Sequence, residues 1–366
     1  MMEQKRLGDI ATYINGFAFK PEDRGTVGLP IIRIQDLTGN TYDLGFYDGN
    51  YPERIEINDG DVLISWSASL GVYVWNKGKA LLNQHIFKVA FDKCEVNREY
   101  FVYAVRYKLK EMESKTHGAT MKHIVKKDFD NTLIPFPAFD EQRRIAESLD
   151  TAYAIITARQ QQLQNLDELV KARFVEMFGS PVSNPKKWSK KTLKEVCTKL
   201  NDGTHFSPES FAVGDYKYIT AKNIKASGFD FSNITYVPEA VHRPIFERCN
   251  PELGDVLYIK DGATTGIAIV NTLKEEFTLL SSVALLKQNR NVINGYFLAA
   301  LLNNADMYSD IRNNMGGAAI TRLTIAKLNA VRVIIPPLDL QNQFASFVEQ
   351  TDKSKAVEGL YSSLCL

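Results

Sequence analysis

The chain carries nearly the same passage twice. Phe136-Pro137-Ala138-Phe139-Asp140-Glu141-Gln142-Arg143-Arg144-Ile145 returns 199 residues later as Ile335-Pro336-Pro337-Leu338-Asp339-Leu340-Gln341-Asn342-Gln343-Phe344. A repeat on this scale constrains the fold before any single residue is interpreted, because each copy should be one structural unit. The correspondence runs through both halves. Leu7-x-x-Ile10 aligns with Leu193-x-x-Val196 at an offset of 186, and Ile32-x-x-Gln35-x-Leu37 with Ile219-x-x-Lys222-x-Ile224 at 187. Gly60-Asp61-Val62-Leu63 meets Gly254-Asp255-Val256-Leu257 at 194, Tyr100-Phe101 meets Tyr296-Phe297 at 196, and Gly118-Ala119 meets Gly317-Ala318 at 199. The offset only grows, so the second copy carries small insertions, expected in surface loops.

A chain of 366 residues suits two domains of about 150 residues each with connectors. The predicted boundaries are a first domain over 1–139, a long helix over 140–179, a second domain over 180–338 and a C-terminal helix over 339–366. Both domains read as mixed α/β (α+β). Strands are predicted at 29–34, 61–66, 71–74 and 86–91, with counterparts at 216–220, 255–259, 267–270 and 283–287. Single helices are predicted at 97–112 and 293–311.

Residues 140–178 read as one helix, with Asp140 as its cap and Gly179-Ser180-Pro181 as its stop. Ile145, Leu149, Ala152, Ile156, Arg159, Leu163, Leu166, Val170, Arg173 and Met177 advance by alternating steps of four and three, and eight of the ten are apolar. That is a coiled-coil seam, and it needs a partner helix. The repeat offers one from Asp339, where Phe344 and Val348 match Ile145 and Leu149. Thr351, Lys355, Glu358 and Ser362 then stand at seam positions, so the pairing is expected to fail there. The second arm also stops about a dozen residues short of the first. Either that arm is truncated, or something else covers the rest of the seam.

No apolar run approaches the roughly 20 residues of a membrane span, and Met1 to Arg6 do not open a secretory signal, so a cytoplasmic protein is expected. The four cysteines never form a C-x-x-C pair, and no His/Cys spacing suggests zinc. The formal net charge is only +1, but residues 105–127 hold seven Lys/Arg against two acids, and residues 186–199 hold six lysines against Glu195 alone. Either run can be a solvated face; their place at the repeated units favours a polyanion surface. Phosphate-loop, dinucleotide-binding and nucleophile-elbow motifs are absent, as is an Asn-Pro-Pro-Tyr methyltransferase motif. The nearest approach to a nuclease pattern, Pro208-Glu209 with Asp215-Tyr216-Lys217, places its acids too close together and has no match in the other copy.

Taken in order, these features resemble the specificity (S) subunit of type I restriction–modification systems. The residues that carry the likeness are the two Pro-x-x-Asp-x-Gln junctions with their helices, and the domain starts Leu7-Gly8-Asp9-Ile10 and Trp188-x4-Leu193-Lys194-Glu195-Val196. The Asp202-Gly203-Thr204-His205 stretch and the Gly-Asp-Val-Leu strands complete it. The resemblance implies two target-recognition domains, each reading half of an asymmetric bipartite DNA site. Their long helices would pair antiparallel, in a pseudo-twofold repeat, to set the half-site spacing. It implies double-stranded DNA, two methyltransferase (M) subunits and restriction/translocase (R) subunits as partners. The chain would itself be non-catalytic, with S-adenosylmethionine, ATP and Mg²⁺ held by those partners. The competing readings are the recognition part of a stand-alone restriction or methylation enzyme, and a coiled-coil scaffold that does not bind DNA.

Base reading needs polar side chains that reach a groove. The candidates in the first domain are Lys20, Arg33, Gln35, Trp66, Lys115, His117 and Lys122. In the second they are Thr204, His205, Lys222, Asn223, Lys260, Thr264 and Arg322. For helix pairing and subunit docking they are Ile145, Leu149, Ile156, Leu163, Leu166, Val170, Phe344 and Val348. No metal site is expected. His85 and His123 read as ordinary packed or surface histidines, and Trp75 as core.

Overall fold

The computed structural model describes residues 3–40, 43–114, 123–313 and 323–363, the side chains of 356–363 excepted. It divides into two compact units, Met1–Ile155 and Ile156–Leu366. Among the described residues no helix is long and apolar enough to cross a membrane.

In the first unit β1 (Thr12–Asn15), β2 (Val62–Ser65), β3 (Gly71–Val74) and β4 (Ile86–Ala90) form an antiparallel sheet in the order β1-β4-β2-β3. All of β2 is buried, as its short continuous apolar run requires. Successive side chains leave opposite faces of a strand, and the cores follow that alternation. Val62 and Ile64 join one cluster with Phe101 and Val105 of the helix α1 (Arg98–Ser114). Leu63 joins another with Ile31, Leu81 and the buried Trp75, under a second sheet that includes Leu29–Ile32 and Ala80–Leu82. Gln4–Arg6 pairs with Leu133–Pro135, so the unit closes with its first and last strands side by side.

The helix α2 (Phe139–Phe178) is continuous. Asp140 lies inside its first turn rather than at the cap, where a carboxylate still favours the positive end of the helix dipole. Gln142 explains the junction motif. Only 1% exposed, its side chain accepts from the Asn97 N–H at 3.0 Å and donates to the Pro137 carbonyl at 2.9 Å, tying α2 to the start of α1.

The second unit repeats this plan. Here β5 (Cys197–Asp202), β6 (Val256–Ile259), β7 (Ala268–Val270) and β8 (Val283–Gln288) form a sheet in the order β5-β8-β6-β7. Val256 and Tyr258 face one core, Leu257 and Ile259 the other. The ladder of Ser189–Thr192 with Arg332–Ile335 closes the unit as in the first. The helix α3 (Glu239–Arg248) belongs to this unit. The single helix expected over 293–311 is two, α4 (Gly295–Asn303) and α5 (Ala305–Asn313). Asn304 turns extended between them and its side chain accepts from the Asp306 N–H at 3.0 Å, so an Asn that could end one helix also caps the next. Gln341, fully buried, repeats the latch: it accepts from Asn294 N–H at 2.9 Å and donates to the Pro336 carbonyl at 2.8 Å.

The last helix, α6 (Leu338–Ser363), packs antiparallel on the second half of α2. Phe344 sits 5.6 Å, centroid to centroid, from both Phe174 and Phe178, and Lys355, further along α6, lies 2.7 Å from Asp167, earlier on α2. The pairing expected to fail from Thr351 onward reaches at least Lys355, and the side chains of Glu358 and Ser362 lie outside those described. Thr351 is buried with its hydroxyl donated to the Phe347 carbonyl, and Lys355 continues the pairing as a salt bridge. The end of α2 accounts for part of the second basic run: Lys186 donates to the Glu176 and Met177 carbonyls, both at 2.8 Å, neutralising acceptors a helix end leaves unpaired.

Candidate nucleic-acid interface

In both units the chain leaves the first sheet strand through a glycine pressed against a neighbouring backbone. A Cβ on Gly16 would lie 2.0 Å from the Asn83 carbonyl oxygen, and one on Gly203 1.9 Å from that of Leu279. The backbone around the two glycines matches bond for bond. Gly16 N–H donates to Ile86 and Gly203 N–H to Val283; Phe17 N–H donates to Leu82 and Thr204 N–H to Leu279. The residue just past the second strand is held alike: Trp66 donates to His85 and accepts from Ile124, while Lys260 donates to Ser282 and accepts from Leu323. Each frame therefore places two side chains together, Asn15 with Trp66 and Asp202 with Lys260.

The side chains in these frames differ. In the first unit Trp66 Nε1 donates to Asn15 Oδ1 at 3.3 Å, and its ring lies 5.0 Å from His85, 5.7 Å from Phe87 and 6.5 Å from His123. Trp66 is partly exposed, Phe17 is exposed with its ring 5.0 Å from that of Phe19, and His85 and Ala68 hold positive φ angles of 74° and 59°. In the second unit Asp202 and Lys260 are both buried, with Lys260 Nζ 3.3 Å from Asp202 and 2.7 Å from Asp261. The other oxygen of Asp202 meets His205 Nε2 at 3.1 Å and Arg248 at 3.7 Å. Those two side chains are 58% and 43% exposed. Arg248 also donates to the Gly203 carbonyl. A buried carboxylate thus neutralises one cation behind it and holds two basic groups in front, an arrangement that keeps a buried charge paired.

Trp66 and His205 stand at these surfaces, but several other predicted DNA contacts do not. Lys260, Thr204 and Asn223 are buried. Lys260 is consumed by its two carboxylates, and the Asn223 side chain accepts from Thr220 N–H at 3.0 Å to close a turn. Arg33 is nearly covered, paired with Asp36 at 3.5 Å and donating to the Asp43 carbonyl. Its counterpart is Thr220, and both Arg33 and Asn223 have side chains engaged in local turns. Lys20, Lys222 and Thr264 are exposed and Gln35 is half-buried; Thr264 sits in the hairpin between β6 and β7. Lys115, His117, Lys122 and Arg322 lie outside the described residues. On the helices, Phe344 is core, Val170 and Val348 pack on the same cluster, Ile145 packs on the first unit's core, Ile156, Leu163 and Leu166 are half-covered, and Leu149 is 37% exposed.

The profile of the family described as the type I restriction modification DNA specificity domain matches residues 1–168 and again 185–360. The chain belongs to this family. It is a specificity subunit of the type I restriction–modification class, built from two such domains. Similar relatives are the EcoBI specificity subunit of Escherichia coli, 23% identical over 94% of this chain and 78% of that one, and the EcoKI specificity subunit of the same species, 24% identical over 94% and 80%. The MjaVIII specificity subunit of Methanocaldococcus jannaschii is 21% identical over 82% and 74%. Among solved structures, the type I S subunit from M. genitalium superposes with a TM-score of 0.61 at 15% identity, covering all of this chain and 93% of that one. A chain from a study of type I complex assembly and conformational transition gives 0.54 at 16%, over 99% and 94%.

Within this specificity subunit, sequence reasoning passed over Asn15, Asp202 as a carboxylate hub, and Arg248. The match of Asn15-Gly16-Phe17 with Asp202-Gly203-Thr204 at an offset of 187 was the signal that would have found the first two. Arg248 had none, because it reaches the frame from α3.

Proposed function

We propose that this specificity subunit reads DNA with both of its family domains, each contacting one half of an asymmetric bipartite site. In this reading α2, paired with α6, sets the distance between the halves and offers its remaining apolar face to methyltransferase subunits, to which restriction/translocase subunits add. Methyl transfer and cleavage then belong to those partners, which bind S-adenosylmethionine, ATP and Mg²⁺. The observation that carries the proposal is the presence in one chain of two matched family domains joined by one helix, because a split recognition site needs two readers and a spacer. The relatives named as specificity subunits, and the neighbour studied in complex assembly, support it.

The test is a gel shift of the chain with its cognate methyltransferase, at rising salt. The proposal expects a sequence-selective complex that weakens linearly in log–log form as counterions are released. Absence of any salt-sensitive, sequence-selective complex would refute it.

A further inference from the structure

The two backbone frames that hold Asn15/Trp66 and Asp202/Lys260 invite a comparison that the repeat makes possible. Positions that hold the fold keep their residue type between copies. Gln142 and Gln341 make the same two hydrogen bonds, Asn97 and Asn294 accept from the first-turn N–H groups of Tyr100 and Tyr296, and Gly16 and Gly203 make the same close approach. At the frame the backbone bonds are equally well kept, and Gly16/Gly203 and Leu82/Leu279 keep their type, yet the side chains grouped around Trp66 and Lys260 change. Trp66 corresponds to Lys260, Asn15 to Asp202, Phe17 to Thr204, His85 to Ser282 and Phe87 to Ala284. A scaffold preserved to the hydrogen bond around an exchanged set of side chains is what a shared reader with two different targets requires.

The chemistry of the two sets is opposite. The first presents the partly exposed ring of Trp66 on a base of His85, Phe87 and His123, with Lys126, paired with Asp130, over the Phe87 ring and the exposed Phe17 two residues past Asn15. The second presents His205 and Arg248 at the surface, both anchored on the buried Asp202. In the major groove apolar side chains match the thymine methyl, whereas a guanidinium matches the O6 and N7 acceptors of guanine. We propose that these frames are specificity-determining positions: Trp66 tests its half-site for thymine methyl groups, and Arg248, oriented by Asp202 with His205, tests the other for guanine. Lys260 is a positioning residue that fixes the Asp202 carboxylate from behind. This rests on the reading that each domain contacts DNA.

The experiment selects bound sequences from a random duplex library with the full chain and its cognate methyltransferase, for the native protein and for Trp66→Gln and Arg248→Gln. Asn15→Ala, which removes the acceptor of the Trp66 Nε1–H bond, and His205→Ala, both at exposed side chains, replace either variant if it does not fold. Trp66→Gln should relax base preference in one half-site only, and Arg248→Gln in the other half-site only. On the native site, uracil in place of thymine in the first half should weaken native binding, and 7-deazaguanine in place of guanine in the second should weaken it by up to roughly 100-fold, the range of a bidentate guanine contact. The matching variant should not respond to that change. Equal weakening on all sequences, a shift in both halves together, or no shift in either would overturn the assignment while leaving two-domain DNA reading intact. A native protein that selects no bipartite sequence would overturn that underlying reading, and the assignment with it.

Discussion

Gly203 has no room for a side chain, since a Cβ would meet the Leu279 carbonyl oxygen at 1.9 Å, and backbone cannot yield as a flexible side chain would. Gly203→Ala should lower stability by roughly 1–3 kcal/mol or more, read from urea unfolding; an unchanged midpoint would contradict the close approach. His242 is a second sensitive position. It is fully buried, stacked on Tyr216 at 3.8 Å, and bonded to Thr278 at 2.9 Å and Glu276 at 3.3 Å. Burial holds its pKa below the ordinary 6.5, with Arg243 adding to the effect and Glu276 and Glu239 opposing it. The unfolded chain therefore takes up the proton first as pH falls, so this contribution to stability is complete above 6.5 and declines below it. Melting at pH 7.5 and 5.5 should show that decline, and His242→Phe should reduce it. An equal decline in the variant would assign the effect elsewhere. Burial also pushes the Cys197 and Cys249 thiols up to about 12, so both should resist alkylation at neutral pH in the folded chain.

Among elements, the strongly periodic ones were legible in the sequence and the polar ones were not. The α2 helix shows itself by its seven-residue pattern, and β2 and β6 by short apolar runs beside Gly-Asp turns. The strands β1 and β5 were missed because polar residues interrupt their apolar ones, and they are held by ladder bonds to β4 and β8 rather than by their own composition. The continuation of the seam through Thr351 and Lys355 was missed for the same reason: a salt bridge to Asp167 leaves no apolar signature. The Gln latch gives a direct test. Gln341→Leu strands the Asn294 N–H and the Pro336 carbonyl, and should cost about 1–3 kcal/mol per buried group left unpaired, measured by chemical unfolding. If α2 docks methyltransferase, Leu163→Glu with Leu166→Glu should abolish co-purification of the two proteins while both units keep their melting transitions. Retained assembly would contradict that role.

At the scale of the whole molecule, the repeat gave the doubled plan and the family, while the surfaces proposed to read DNA needed coordinates. Trp66 and Lys260 occupy one position in two frames, yet one is a partly exposed platform and the other a buried counter-ion; residue type alone ranked them together. The central proposal is that two readers act on one duplex at a separation set by α2. It is tested most directly by inserting seven residues after Ala154, before the stretch that α6 covers, which preserves the seam and lengthens the helix by about 10 Å. Sequences selected from a random duplex library by this variant, with the cognate methyltransferase, should keep both native half-sites and carry them about 3 base pairs further apart at 3.4 Å per base pair. Half-sites recovered at the native spacing, or a single uninterrupted site, would contradict it.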